Sequence, residues 1–295
     1  MTMKRMLTVM LAVLLAMSLL LTGCAKGEEA PATSDEPKTS ETGDDAQTEQ
    51  TEAEDDYAYI SDKGTLTIGI TIYDPMNYYD ESGKLVGFDT EFAEAVCEIL
   101  GVEPEFQEIN WDTKEIELEA KNIDCIWNGF TVTEERRENM DFSDSYIKNM
   151  QVMVIRAADA DVYTDTASLA DKTVVAEISS AGETAIADDE NLSQATYVSV
   201  PKQTDALLEV KSGTADAAVL DYTLAMSMVG EGTDYSDLML VPDVELAVEE
   251  YAIGFRLGSN MVEKVNEAIA QLVEDGTLDE IAAKYDLTDS LISNQ

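Results

Sequence analysis

Two charged side chains and their settings define the chemistry this sequence can offer. Thr133 predicts an N-cap for a helix over residues 134–139, which puts Arg136 in the first turn. There the free backbone N–H groups, the helix dipole and a guanidinium fork can all face one anion. Thr131 adds a hydroxyl donor. The competing role for Arg136 is a surface pairing with Glu134 or Glu135. Asp221 closes an apolar run over 215–221, and the ends of such strands are where ligands meet open α/β sheets. Its competing role is a cap on the next helix. The chain contains no histidine, which removes Ser-His-Asp and Cys-His catalysis, histidine metal sites and the usual proton shuttle near neutral pH.

The elements that must position these groups alternate strand and helix, so the chain reads as α/β. A β-rich run covers 66–72. Gly87-Phe88-Asp89 opens a helix with Phe92, Val96, Ile99 and Leu100 at helical spacing, Cys97 at the edge of the stripe, and Gly101 as the left-handed stop. A second strand is expected over 124–130, where Trp127 reads as core. Further strands fall at 173–178, 215–221 and 251–257, with helices around 183–187 and over 203–211. A last pair of helices follows: Val262, Val265, Ile269 and Leu272 share one face before Gly276, and Thr277-Leu278-Asp279-Glu280 has the form of a capping box.

The N-terminus is a targeting segment. Lys4 and Arg5 precede an apolar run from Met6 to Leu21, and Leu21-Thr22-Gly23-Cys24 follows. This resembles a bacterial lipoprotein signal over 1–23, with cleavage before Cys24 and lipid carried on that cysteine; the run is short for a bilayer span. Residues 24–56, acidic and without an aromatic side chain, read as a solvated tether. The net charge is −43; the signal adds +2 and residues 24–56 hold 12 acids against two lysines, which leaves −35 on the remainder. Such a surface repels nucleic acid and anionic headgroups. Beyond Cys24 only Cys97 and Cys125 remain; an exported setting would permit a bridge between them, but their spacing suggests no framework and they read as two buried thiols.

Read in order, several stretches resemble the family 3 bacterial solute-binding proteins, the polar amino acid receptors of ABC importers. They are Gly83-Lys84-Leu85-Val86-Gly87-Phe88-Asp89, Asn128-Gly129-Phe130-Thr131-Val132-Thr133-Glu134-Glu135-Arg136 and Asp141-Phe142-Ser143-Asp144-Ser145-Tyr146. Lys211-Ser212-Gly213-Thr214-Ala215-Asp216-Ala217, Glu250-Tyr251-Ala252-Ile253-Gly254 and the tail from Gly276 to Tyr285 complete the set. The resemblance implies a two-lobe type II periplasmic-binding fold with a discontinuous first lobe. Residues 57–147 and 250–295 would form lobe 1 and 148–249 lobe 2, with hinges near Ile147 and Glu250 and the ligand between them.

A zwitterionic amino acid needs a donor fork for its carboxylate and an acid for its ammonium. By resemblance, Arg136 takes the first, assisted by Thr131 and by backbone at Asn128 and Gly129, and Asp221 takes the second. Ser180 and Ala181 match a lobe 2 loop that closes on the carboxylate, with Ser179 where a glycine is usual. Tyr73 matches an aromatic wall. Glu177 either reads a cationic or amide side chain of the ligand or ends its strand in solvent. The implied protein is no enzyme, uses no metal or cofactor, and delivers a polar or cationic amino acid to an importer permease. It would sit on the outer face of the cytoplasmic membrane. Two other functions compete: an enzyme on the same scaffold, since cyclohexadienyl dehydratases resemble these receptors and Glu177 is the candidate acid, and a ligand sensor for a membrane signalling partner.

Overall fold

The computed structural model describes residues 55–295; Cys24, the signal over 1–23 and the tether up to residue 54 lie outside the described residues. Asp55 accepts the Ala58 N–H at 2.9 Å and opens helix α1 (Asp56–Lys63), an element the sequence reading does not contain. Two ion pairs pin it to the body: Lys63 to the buried Asp124 at 2.5 Å, and Asp56 to Arg256 at 3.1 Å.

Strand β1 (Thr65–Ile70) follows, then the short hairpin β2 (Tyr78–Tyr79) and β3 (Leu85–Val86). Helix α2 (Phe88–Leu100) begins at Gly87 and stops at Gly101, whose φ of 72° is the left-handed cap expected from sequence. Its buried face is Phe88, Phe92, Ala93, Val96 and Cys97, whereas Ile99, expected on that stripe, is 38% exposed. Phe92 stands edge-on to Trp127 at 5.0 Å and to Tyr146 at 5.3 Å, so Trp127 is core. Burial of one such side chain contributes about 1.5–3 kcal/mol. The chain continues through β4 (Glu103–Glu108), α3 (Lys114–Glu119), β5 (Cys125–Ile126), α4 (Glu134–Arg137) and β6 (Met140–Phe142). The strand expected over 124–130 is thus only two residues long. Three residues beyond its end, Gly129 turns the backbone to a φ of 56°.

Strand β7 (Ile147–Arg156) carries the chain into a second sheet with β8 (Thr173–Glu177), α5 (Ala181–Asp188), β9 (Thr196–Val200), α6 (Gln203–Ser212), β10 (Ala217–Asp221), α7 (Tyr222–Met228) and β11 (Leu238–Tyr251). It returns through β12 (Gly254–Arg256), α8 (Met261–Glu274) and α9 (Thr277–Lys284). Tyr251 therefore ends β11 and is not part of one strand running to 257. The capping box at Thr277 does not form either: Gly276, at φ 83°, occupies the cap position, and Thr277 is already helical.

The first sheet has the order β4-β1-β5-β12-β6 and the second β11-β7-β10-β8-β9. In each, parallel strands form one side (β1 with β4 and β5; β8 with β9 and β10), and antiparallel strands complete the other. The first lobe is discontinuous, since β12 re-enters its sheet after the second lobe is finished. Cys97 and Cys125 are free and buried, and burial pushes the Cys97 thiol up to about 12. Among the described residues no helix is long and apolar enough to cross a membrane.

Candidate functional site

Between the two sheets lies a small cavity of about 10 Å³, roughly the room of one water molecule. The first lobe lines it with Tyr73, Asn128, Gly129, Thr131 and Arg136; the second with Glu177, Ser180, Ala181 and Asp221. All nine candidate residues therefore line one place. Thr71, Trp111 and Gln203 complete the lining and were not foreseen.

Arg136 sits in the four-residue helix α4, whose cap is Thr133: its hydroxyl accepts the Arg136 N–H at 3.1 Å. The guanidinium lies 4.5 Å over the Phe130 ring and does not turn to Glu134 or Glu135. Its Nη1 donates to the Thr131 carbonyl at 2.6 Å and its Nη2 reaches the Ser179 carbonyl of the other lobe at 3.4 Å. The head is half-buried, and burial lowers its pKa, countered by Glu249 and other acids. Lys114 converges on the same carbonyl at 3.1 Å, and Ser179 Oγ donates to Asp112 at 2.8 Å. One loop of the second lobe thus receives two cations and one acid from the first. Ser179 adopts the left-handed φ of 57° in which a glycine would be unstrained.

Asn128 and Gly129 are committed inward. The Asn128 amide donates to the Thr71 carbonyl at 2.9 Å and to Asn77 at 2.7 Å, and accepts from Thr71 N–H and hydroxyl at 3.1 and 2.7 Å. The Gly129 N–H goes to the buried Asp89 at 2.7 Å, whose carboxyl burial pushes up to about 7. Gly129 has to be glycine on two counts: its φ is positive, and a Cβ would stand 2.6 Å from Cε1 of Tyr73.

Asp221 ends β10 and makes no helix-cap bond through its side chain. It is the hub of a buried polar network. Oδ1 accepts from Asn149 at 2.8 Å, Gln151 at 2.6 Å and the Tyr251 hydroxyl at 2.9 Å, while Oδ2 accepts from the Gln203 amide. The Tyr73 hydroxyl joins through Tyr251 at 2.8 Å and touches Thr223 of the second lobe. Glu177 is 4% exposed, which excludes the solvent-facing strand end. Burial pushes its carboxyl up to about 8, helped by the Asp221 charge and opposed by Lys114. Burial in turn lowers Lys114 to about 8, with Arg136 adding to the effect. Ser180 caps α5, its Oγ accepting the Glu183 N–H at 3.2 Å, and Gly182 lets that helix press against β10, since a Cβ there would meet the Val219 carbonyl at 2.8 Å. Arranged in this way, the site presents a guanidinium from one lobe, an acid hub from the other, and a second acid at the wall.

Comparison with known proteins adds a consistent picture. The model of the bacterial extracellular solute-binding proteins, family 3, matches residues 66–288. The L-cystine-binding protein TcyJ of Escherichia coli K12 is 28% identical over 229 residues, covering 77% of this chain and 84% of that protein. The arginine-binding extracellular protein ArtP of Bacillus subtilis is likewise 28% identical over 229 residues, with 76% and 87% covered. Among solved structures, the ancestral amino acid-binding protein AncCDT-1, a precursor of cyclohexadienyl dehydratase, has a TM-score of 0.70 at 29% identity, covering 78% of this chain and 98% of that one.

Proposed function

Because the chain belongs to the family 3 bacterial extracellular solute-binding proteins, we propose that it captures an amino acid around Arg136 and Asp221 and delivers it to an ABC importer permease. The observation that carries this reading is the meeting of a guanidinium and an acid hub, from opposite lobes, in one enclosed cavity. The α-carboxylate docks on Arg136, assisted by Thr131, Ser180 and Ala181, and the α-ammonium docks on Asp221. Tyr73 forms a wall. The side chain then points to Glu177, which favours polar and cationic ligands; relatives named for arginine and cystine are in keeping with this.

A cavity of about 10 Å³ cannot admit an amino acid until the lobes part. The reading therefore includes hinge motion between residues 57–147 with 250–295 and residues 148–249. Lipid on Cys24 would hold the receptor at the outer face of the cytoplasmic membrane, and Cys24→Ala should no longer partition into detergent. A thermal-shift screen against the twenty amino acids tests the core of the proposal. Ligand at 100 times its dissociation constant adds about 2.7 kcal/mol of stability, and no shift with any of them would refute it.

The buried, proton-holding Glu177 also supplies what a dehydratase on this scaffold would need. Incubation with prephenate or arogenate separates the two functions. A receptor leaves both unchanged.

A further inference from the structure

Glu249, near the end of β11, has no place in the reading so far, yet it is buried beside the ammonium subsite. Its Oε1 accepts from Asn149 Nδ2 at 2.6 Å and from Gln151 Nε2 at 2.9 Å. These are the same two nitrogens that donate to Oδ1 of Asp221, at 2.8 and 2.6 Å. Two amides on one crossing strand therefore hold two acids, one from β10 and one from the other crossing strand. We infer that Asp221 and Glu249 act as a proton-sharing pair, and that Glu249 releases its proton when the ammonium of a ligand docks on Asp221, so that capture is coupled to proton release. The inference rests on the amino acid reading above.

The physical argument is one of charge count. Two carboxylates drawn to the same donors in a buried place cannot both ionise cheaply. Burial and the Asp221 charge push Glu249 up to about 8, so near neutral pH Glu249 keeps its proton. An ammonium is itself a proton-bearing cation, and it stabilises the doubly ionised pair. The Glu249 O–H bond then breaks, the electron pair stays on the carboxylate, and the proton passes to solvent. A route is present: Glu249 also lines a second, larger cavity of about 630 Å³ between the lobes.

The groups facing Glu249 decide whether this holds. Tyr251 on its own strand and Tyr73 from the first lobe are both held well above the ordinary tyrosine range, chiefly by burial, and stay neutral. Across the larger cavity stand the cations Arg136 and Lys114, and the acids Asp112, Glu115, Glu135 and Asp188. Glu177 at the end of β8 feels the Asp221 charge and lines the same small cavity. Burial and the neighbouring Asp221 charge favour retention of the Glu249 proton, Arg136 opposes it, and an arriving ammonium adds a further cation.

Two measurements on the full chain test the proposal. In ligand-free protein with 13C-labelled carboxyls, the pH titration should show a carboxyl protonated at pH 7 that ionises near 8 and disappears in Glu249→Gln. Full ionisation of Glu249 at pH 7 overturns the shared proton. Calorimetry with arginine at pH 7, in buffers of different ionisation heat, should show about one proton fewer released by Glu249→Gln than by the parent. The difference isolates Glu249 from whatever Glu177 contributes. Equal release in both proteins overturns the coupling. If no amino acid gives any heat, the receptor reading fails and the release step fails with it, while the carboxyl titration still decides the pair.

Discussion

Replacement of Arg136 is the most direct test of the residue assignment. In the closed cleft its guanidinium is stacked on Phe130 at 4.5 Å and half-buried, so a ligand carboxylate there would be cut off from bulk water. Truncating one member of such a buried charge pair costs about 2–5 kcal/mol. At about 1.4 kcal/mol per decade that is roughly 30-fold to several thousand-fold in affinity. Arg136→Lys should recover only part of this, because an ammonium has no planar pair of donors and stacks less well on Phe130. The ligand-free fold loses the stacking contact, about 0.5–1 kcal/mol, and the charged hydrogen bond to the Thr131 carbonyl at 2.6 Å, about 1.5–3 kcal/mol, while the Ser179 contact at 3.4 Å is long; chemical denaturation of Arg136→Ala therefore accompanies the titration. Arg137 is the control. It is exposed, 5.5 Å over the Phe142 ring, and absent from the cavity lining. Calorimetric titration of Arg136→Ala and Arg137→Ala decides the matter; equal losses at both positions, or none at 136, would refute the carboxylate assignment.

Other outcomes follow from the same geometry. Glu177, Glu249 and Asp89 all hold protons more tightly folded than unfolded, with carboxyls at about 8, 8 and 7. Between roughly pH 4.5 and 8 the folded state then binds more protons, so ligand-free stability falls as pH rises across that window; a Tm that rises from pH 5.5 to 8.5 contradicts this. Glu177→Gln should weaken arginine binding relative to glutamine, and arginine affinity of the parent should climb as pH passes 8, which titrations at several pH values will show. Gly129→Ala forces a side chain into a positive φ and a 2.6 Å approach to Tyr73, and should cost about 1–3 kcal/mol in chemical denaturation.

Much of this architecture was legible where the signal is local. Gly87 and Gly101 bracket α2 as sequence implies, and Thr133 caps the turn that carries Arg136. The nine candidate residues converge because short motifs carry both residue type and spacing. What escaped notice depends on long-range company. Glu249 carries no motif in the sequence reading, and its burial is visible only once Asn149 and Gln151, 100 and 98 positions away, are known to receive it. Strand β11 was missed because Pro242 and Asp243, the latter at φ 59°, interrupt its pattern, and the register against β7 shifts between Leu240 and Glu245. Gln203 looked like an ordinary first residue of α6; nothing in its neighbourhood signals that its amide reaches Asp221.

That contact with Gln203 has a bearing on exchange. The amide donates to Oδ2 of Asp221 while its carbonyl accepts the Asp221 N–H at 3.0 Å, so the acid already has a resident donor on each oxygen. An arriving ammonium does not fill an empty place; it competes with a tethered neutral group that never diffuses away. Its advantage is its own positive charge, which makes the contact with the carboxylate an ion pair where the amide offers only a charge-assisted hydrogen bond. If the ammonium docks on Asp221 as proposed, ligand would be displaced in small steps, with Gln203 returning as the ammonium leaves, and Asp221 would not stand bare during release. In the delivery role proposed above, such a built-in competitor would trade tight retention for prompt handover.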